Sequence, residues 1–548
     1  MASPDVLIVG TGFAGIYLLH KLRKADVTTM AVDAAPDLGG TWYLNRYPGC
    51  RCDVESLEYS FSFSEDLRNG WDWSERYAAQ PEILRYANWV ADTLDVRRNM
   101  VFDTRIANAD WDEAQARWMV ESDDGKRWTP RHVILATGAL TVPKMPEIPG
   151  LETFKGKVLH TAKWPHEPVD LDGKHVGVIG TGSSGIQVST ALASMAGHLN
   201  VFQRTPSYSV EAKNTPLTDA DRAAFRDNFP NLNKWAMGSK SGLLTGPAIG
   251  ETMEFSPERQ QKLLWEAWTK GGAFHLTSVF TDTRKDEASN KVLADFVKAR
   301  IREKIKDTKI ADLMCPDDFI ATRRICVDTG YYEIFNQDNV SLVDTKADGI
   351  VAVTATGLQL ASGTHHGLDV LVLATGYDAM TGAITKIDLR GQNGVRIQDV
   401  WENGPQTMMG LAMAGFPNLF TVTGPGSPSA LTNLIRSIEH HGDWITNAIT
   451  HMRNEGIAAM APTPQAQSNW TAHVAEVAAQ TLFTRTKSWY MGTNIPGKPQ
   501  VFMAYAGGLP AYRDHCDTEA TRGYPGFEKI ATDTPPAKHE TANDHAAP

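Results

Sequence analysis

The hydrophobic positions of this chain fall into short, continuous apolar runs that are separated by turns and by amphipathic segments. These runs cover residues 6–9, 27–32, 133–135, 176–179, 199–202 and 371–373. Continuous runs of this length are typical of strands that are buried on both faces of a parallel sheet. The segment from residue 16 reads as a helix, so the first two runs predict a strand–helix–strand unit. The later runs repeat this strand–helix–strand pattern, and we therefore predict an α/β fold with two similar Rossmann-like nucleotide-binding units.

The region between residues 215 and 315 has a different pattern. Ser256 followed by Pro257 is a typical helix start, because serine caps the first turn and proline tolerates its first position. Apolar residues then recur at helical spacing, at Leu293, Phe296, Val297, Ile301 and Ile305. We predict a mostly helical insertion in the second nucleotide-binding domain.

These patterns divide the chain into segments with predicted boundaries. We expect a first nucleotide-binding domain built from residues 1–140 and 379–530, and a second built from residues 141–214 and 316–378, with residues 215–315 as the helical insertion. Residues 531–548 are polar, contain prolines and lack aromatic residues, so we expect a disordered tail.

Two glycine-rich turns follow the first and fourth apolar runs. In the first turn, Gly10, Gly12 and Gly15 permit a tight turn, close approach to a pyrophosphate, and close strand–helix packing. Asp33 ends the next run, where a carboxylate can hold ribose hydroxyls. These features predict a dinucleotide site, but the residues do not separate FAD from NAD at this position.

The second turn has the same glycine spacing but a different residue after the following strand. It consists of Gly180, Thr181, Gly182, Ser183, Ser184 and Gly185. Arg204 stands where an NAD site usually has an acidic residue, and a guanidinium can bind a 2′-phosphate through two hydrogen bonds. Thr205 can add a hydroxyl donor. The second site is therefore predicted to prefer NADP over NAD.

Composition and charge narrow the class of protein further. The net charge of −11 argues against a nucleic-acid-binding surface. No apolar run reaches the roughly 18 residues of a membrane-spanning helix, and no leader segment is expected before residue 6. The 5 cysteines do not form a disulfide framework, and they lack the paired histidine spacing of a metal site. We expect a cytoplasmic protein without a metal.

The segment between the two glycine turns carries the most specific motif. Phe154, Gly156, His160, Trp164 and Pro165 follow the spacing F-x-G-x-x-x-H-x-x-x-W-P. This motif, together with the two turns that flank it, resembles the type I Baeyer–Villiger monooxygenases. The resemblance implies FAD and NADPH as cofactors, O2 and a small-molecule ketone as substrates, and an ester or lactone as product, formed through a peroxide on the flavin C4a carbon. Related enzymes that oxygenate nitrogen or sulfur lack the Trp-Pro ending.

The resemblance also implies roles for individual residues. Residues 39–53 look like the stretch that lines the flavin, with Leu44 where the family usually has tryptophan; the flavin-lining residues expected by this match are Gly40, Thr41, Trp42, Arg51, Asp53 and Tyr59. Arg323 replaces a lysine that reaches the 2′-phosphate. Arg324 matches the catalytic arginine, which would stabilise the developing negative charges, and Asp53 would orient it. Trp489 belongs to a segment, residues 487–498, that resembles a mobile lid over NADP and the substrate.

Several alternatives stay open at this level. An oxygenase of sulfur or nitrogen within the same superfamily is the main rival, since it would use both cofactors. A non-catalytic dinucleotide sensor would be expected to lack Arg324 or Asp53. Cys50 and Cys52 suggest a disulfide reductase, but such enzymes use a wider cysteine spacing. The role of His160, either structural or linked to domain rotation, is undecided, and a monomer is favoured.

Overall fold

The computed structural model describes residues 3–531 and contains two five-stranded parallel sheets. The strands of the first sheet are, in spatial order, Leu419–Thr421, His132–Leu135, Val6–Val9, Thr29–Val32 and Met100–Val101. All neighbouring strands in it run parallel. The chain therefore returns to this first sheet near its C-terminal end, after completing the second.

The second sheet has the same architecture. Its strands are, in spatial order, Val340–Asp344, His198–Gln203, His175–Ile179, Val370–Leu373 and Lys157–His160, all parallel. In each sheet the central strand leads through a glycine turn into a helix, Phe13–Lys24 in the first and Ser183–Leu192 in the second. The predicted fold class, an α/β chain with two Rossmann-like units, is confirmed.

One strand of the first sheet is shorter than predicted. The apolar run at residues 27–32 forms a strand only from Thr29, because the chain before it still closes the preceding helix. Asp26 adopts a left-handed φ of 54°, and the N–H of Val27 donates to the carbonyl of Leu22 at 3.0 Å.

Smaller sheets complete the scaffold, and the sequence patterns did not predict them. They comprise a four-stranded sheet (Asp388–Arg390, Ile106–Asp112, Arg117–Ser122, Arg127–Trp128), a three-stranded sheet (Ile350–Thr354, Gly357–Leu360, His365–Gly367), the pair Ile457–Pro462 with Phe527–Ala531, and the pair Ser209–Glu211 with Cys326–Asp328.

The four-stranded sheet covers one face of the first parallel sheet. Leu7 and Leu135 from the parallel sheet share a buried cluster with Trp111 and Trp118, whereas Ile8 points to the other side and joins the main core. Alternate side chains of a strand point to opposite faces. The strands of the first sheet are thus buried on both sides, as continuous apolar runs require.

Between residues 215 and 315 every helix or strand of more than four residues is an α-helix. These are Asp219–Asp227, Phe229–Gly238, Pro257–Lys270, Ala273–Thr277, Glu287–Lys304 and Thr308–Leu313. The remaining α-helices are Thr41–Leu44, Glu65–Asn69, Gln80–Thr93, Gly382–Thr385, Ile397–Val400, Leu434–Asn454, Pro464–Ala479 and Leu509–Thr521. As expected, Ser256 caps its helix by accepting a hydrogen bond from the N–H of Arg259.

At the C-terminal end, Ala531 closes the strand Phe527–Ala531. The remainder of the predicted disordered tail, residues 532–548, lies outside the described residues.

Candidate active site

The backbone of the first glycine turn is so tightly folded that side chains could not be accommodated at two of its positions. Gly10 has a φ of 115°, and a methyl group at Gly15 would lie 2.1 Å from the carbonyl oxygen of Gly10. These two glycines are therefore required by the turn itself. A methyl group at Gly12 would lie 3.5 Å from the Cα of Gly40. Gly12 and Gly40 thus bring uncovered backbone together at the N-terminus of the helix Phe13–Lys24, where N–H groups can bind an anion.

Asp33 is fixed beside this turn. Its carboxylate accepts hydrogen bonds from the N–H and hydroxyl of Thr11 at 2.7 and 2.9 Å, and from the N–H of Ala35 at 2.9 Å. A carboxylate has about four acceptor positions, so capacity remains for a ribose hydroxyl.

The predicted flavin-lining residues differ in their surroundings. Trp42 and Tyr59 are buried and touch, with the indole N–H donating to the Tyr59 hydroxyl at 3.1 Å, while Thr41 is exposed at the start of a short helix. The guanidinium of Arg51 instead pairs with Glu75 at 3.1 Å. The structure thus anchors Arg51 through a carboxylate of the protein.

The second glycine turn repeats the first. Gly180 has a φ of 112°, and a methyl group at Gly185 would lie 2.0 Å from the carbonyl oxygen of Gly180. At Gly182, by contrast, a methyl group would meet no atom within 4 Å. The open space beside Gly182 leaves the N-terminus of the helix Ser183–Leu192 accessible to an anion.

Polar side chains surround this second turn. Thr181 is buried and donates its hydroxyl to the carbonyl of Thr205 at 2.9 Å. Ser183 lies 3.3 Å from the sulfur of Cys326, and Ser184 is half-buried in the same helical turn.

Cations gather next to the strand His198–Gln203. Arg204 is exposed and forms no ion pair within residues 3–531. Arg323 is partly buried and pairs with Asp318. Burial and the nearby charge of Arg204 lower the pKa of Arg323, so the two guanidinium groups lie within electrostatic range of each other.

Arg324 forms a two-pronged ion pair with Asp53. Its Nε and Nη2 donate to the two carboxylate oxygens, each at 2.7 Å, and its Nη1 donates to the carbonyl of Ala430 at 2.9 Å. The ring of Phe274 lies 4.8 Å from the guanidinium carbon. Burial acts to lower the pKa of Arg324, but the carboxylate of Asp53 raises it above its ordinary value, so the side chain stays charged.

Arg324 lies two residues before the strand Cys326–Asp328. This strand pairs with Ser209–Glu211, near the second glycine turn, whereas Asp53 belongs to the segment that follows the first turn. The ion pair therefore joins the two nucleotide-binding units, although its members are 271 residues apart.

The segment at residues 487–498 contacts the loop that follows the strand Val370–Leu373 of the second sheet. Lys498 pairs with Asp378 at 2.6 Å, and the side-chain amide of Asn494 donates to the carbonyl of Tyr377 at 2.8 Å. Trp489 is half-buried, with its ring 4.0 Å from that of Tyr490.

The side chain of His160 forms hydrogen bonds with backbone groups rather than with a reactive group. Its Nδ1 accepts from the N–H of Ala162 at 3.0 Å, and its Nε2 faces the carbonyl of Lys144 at 3.3 Å. Burial lowers its pKa, which favours the neutral ring. The geometry supports the structural reading of the motif histidine, and Trp164 of the same motif is buried.

Cys50 and Cys52 are free and buried. Burial raises the pKa of Cys50 to about 12, and that of Cys52 also rises. A redox thiol reacts as its thiolate, so this environment disfavours a disulfide reductase.

Sequence reasoning missed two features of this region: the Ala430 carbonyl and the Phe274 ring. A backbone carbonyl has no signal in the sequence, and an isolated phenylalanine is unremarkable without its neighbours. Within residues 3–531, no helix is long and apolar enough to cross a membrane, and no cluster of histidine, cysteine or acidic side chains could hold a metal ion.

Two glycine turns at helix N-termini, joined by a charged arginine, define the class of a two-site nucleotide-dependent oxidoreductase. The model of the pyridine nucleotide-disulphide oxidoreductase family matches residues 4–228. A Baeyer-Villiger monooxygenase from Pseudooceanicola batsensis is 41% identical over 95% of this chain and 96% of its own length. A phenazine N-monooxygenase from Lysobacter antibioticus is 38% identical over 95% of this chain and 96% of its own length.

A solved structure extends this similarity to the fold. The crystal structure of a protein named OTEMO in complex with FAD and NADP has a TM-score of 0.93 and 35% identity, covering 97% of this chain and all of that one. The chain belongs to the Baeyer–Villiger monooxygenase family. It is an FAD-containing, NADPH- and O2-dependent monooxygenase of the type that converts ketones to esters or lactones, which confirms the expected cofactors and activity.

Proposed function

We propose that the first glycine turn binds FAD and the second binds NADPH. Residues 1–140 and 379–530 would form the FAD-binding domain, and residues 141–214 and 316–378 the NADP-binding domain, with residues 215–315 as its helical insertion. FAD would contact Gly10, Gly12, Gly15, Asp33, Gly40, Thr41, Trp42, Arg51, Asp53 and Tyr59. NADPH would contact Gly180, Thr181, Gly182, Ser183, Ser184, Gly185, Arg204, Thr205, Arg323, Arg324 and Trp489. The close approach of Gly12 to Gly40 and the open space at Gly182 support this assignment, because each lies at a helix N-terminus whose backbone N–H groups can bind a phosphate.

Arg324 is the catalytic residue of this proposal. The flavin, once reduced by NADPH, supplies the chemistry that activates O2 and transfers one oxygen atom to the substrate. Arg324 supplies a fixed positive charge where negative charge develops on oxygen. A guanidinium has five N–H donors, and the contacts to Asp53 and Ala430 use three of them, so two remain for the reacting groups.

Asp53 is a positioning residue. It binds Nε and Nη2 of Arg324 through two hydrogen bonds, which fixes the plane of the guanidinium and leaves one N–H on each Nη atom for the reacting groups once Nη1 has bound Ala430. The ring of Phe274 lies 4.8 Å from the guanidinium carbon, within the range of a cation–π contact that also holds the group. Trp489 and the 487–498 segment would close over the nicotinamide and exclude water from the reaction.

The ion pair between Arg324 and Asp53 is the observation that carries this proposal, and product analysis tests it. Purified protein is mixed with NADPH and a panel of cyclic, linear and aryl ketones, thioethers and nitrogen heteroaromatics. We expect at least one ketone to accelerate NADPH consumption and to yield its ester or lactone.

Nitrogen oxygenation is the second candidate, because a phenazine N-monooxygenase is among the similar proteins. Formation of an N-oxide with no ester from any ketone would favour this candidate. It would also contradict the role assigned to Arg324, because attack on a carbonyl creates an oxyanion that nitrogen oxygenation does not.

Two of the three glycines of the second turn, Gly182 and Gly185, give a matched test of the NADP site. Gly182→Ala should leave the thermal midpoint of unfolding within about 1–2 °C of the parent, because its methyl group meets no protein atom, yet it should weaken NADP⁺ binding about tenfold or more by filling the open space at the helix N-terminus. Gly185→Ala should lower the thermal midpoint, because its methyl group lies 2.0 Å from a backbone carbonyl oxygen. Calorimetric binding and thermal melts measure both. Unchanged NADP⁺ affinity in the first variant would remove Gly182 from the site.

We further propose that the protein acts as a cytoplasmic monomer. All 5 cysteines are free and buried, which supports a reducing compartment. Light scattering of the purified chain measures its mass directly.

A further inference from the structure

Lys144 lies at the carboxyl end of an inner strand of the second sheet, the side of the sheet where the nucleotide is expected to bind. Its backbone N–H donates to the carbonyl of Gly376 at 2.9 Å, and its own carbonyl accepts from the hydroxyl of Thr375 at 2.6 Å. Both partners follow directly after the strand Val370–Leu373. Ligands of open parallel sheets bind in the crevice at the carboxyl ends of the strands, so the backbone of Lys144 borders this crevice.

The side chain of Lys144 belongs to a group of cations. Burial and the charge of Arg204 lower the pKa of Lys144, as they lower that of Arg323. Asp318 neutralises Arg323, and Glu147 partly offsets the charge around Lys144, but Arg204 has no ion-pair partner within residues 3–531. Like charges repel, so an excess of cations at this place indicates an anion that binds between them.

Lys144 also contacts the lid segment. Its Nζ donates to the backbone carbonyl of Asn494. An ammonium group has three donors. The 487–498 segment uses one of them, and two remain for an anion.

We propose that Lys144 binds the 2′-phosphate of NADP together with Arg204 and Arg323, and that the same ammonium group links this phosphate to the 487–498 segment. The inference rests on the proposed placement of NADPH at the second glycine turn. It deepens that proposal, because it makes the adenosine end of the coenzyme, and not only the nicotinamide, a determinant of lid position.

The first test uses fragments of the coenzyme and the flavin-loaded protein. We expect Lys144→Ala to weaken the binding of adenosine 2′,5′-bisphosphate about tenfold or more, since a charge-assisted hydrogen bond is lost, and to leave the weaker binding of adenosine 5′-monophosphate unchanged. Isothermal calorimetry measures both. Lys157→Ala is the matched control, because Lys157 is exposed and lies at the opposite end of a strand in the same sheet.

The variants separate this inference from the proposed function. Arg204→Ala should also weaken binding of the bisphosphate. If neither variant changes its affinity, the placement of NADP at this site is wrong. If only Arg204→Ala does, the role of Lys144 is wrong and the placement stands. Lys144→Arg should restore most of the affinity, and flavin content with a thermal melt shows that each variant is folded.

The second test concerns the link to the lid. Lys487 is exposed at the start of the segment and is a site for trypsin. Saturating adenosine 2′,5′-bisphosphate, which lacks nicotinamide, should slow cleavage at Lys487 several-fold in the parent protein but not in Lys144→Ala. Equal protection in both proteins, or protection in neither, would contradict the link.

Discussion

Replacement of Arg324 by alanine is expected to lower the rate of ester formation about 100- to 1,000-fold while NADPH still reduces the flavin. A preorganised donor at a developing oxyanion contributes on the order of 3 kcal/mol to the reaction barrier, which corresponds to this range. Hydride transfer to the flavin creates no such oxyanion, so it should persist, although more slowly because the nicotinamide is less well positioned. The expected result is therefore NADPH consumption that no longer yields ester.

Two measurements separate these steps. Anaerobic mixing with NADPH follows the loss of flavin colour, and aerobic turnover with a ketone substrate follows the product by gas chromatography. Arg302→Ala is the control, because Arg302 is about half exposed and pairs with Asp312 at a distance from the site. Full ester production by Arg324→Ala would refute the catalytic role, and a loss of flavin reduction equal to the loss of ester would place the residue in coenzyme binding alone.

The two glycine turns could be predicted because their determinants are local. Three glycines within six residues, a strand before them and a helix after them lie on one continuous stretch of chain, and steric limits on the backbone require glycine at Gly10 and Gly185. The same holds for Ser256 and Pro257, which start a helix by local hydrogen bonding and a fixed φ. The four-stranded mixed sheet around Trp118 was not predicted, because its strand Asp388–Arg390 pairs in parallel with Ile106–Asp112 across a long separation in sequence.

The geometry of the active site could be predicted from the sequence only in part. The resemblance to a known family selected Arg324 and Asp53 as partners, but nothing in their spacing brings together two residues 271 positions apart. The Ala430 carbonyl takes its position from the fold of residues 424–433, where Ser429 adopts an unusual φ of 44°. Strain of this kind often occurs at functional sites, and it depends on tertiary packing rather than on residue type.

Removal of Asp53 should destabilise the protein more than removal of both members of its ion pair. Asp53→Ala leaves a charged guanidinium without its two-pronged partner in a site where the two side chains are only 21% and 25% exposed. Breaking a buried ion pair in this way costs about 3–5 kcal/mol, and partial exposure places the expected cost near or below the lower end of that range. The double variant Asp53→Ala/Arg324→Met removes the uncompensated charge and should recover much of this loss.

The temperature at which flavin is released reports this effect without assuming two-state unfolding of a multidomain chain. We expect this temperature to fall by several degrees in Asp53→Ala and to rise again in the double variant, while Asp312→Ala, which breaks the exposed pair with Arg302, should change little. If Asp53→Ala melts like the parent protein but forms no ester, Asp53 acts only through the orientation of Arg324. If the double variant is less stable than Asp53→Ala, the desolvation argument fails, because the two side chains would then stabilise the fold independently of each other's charge.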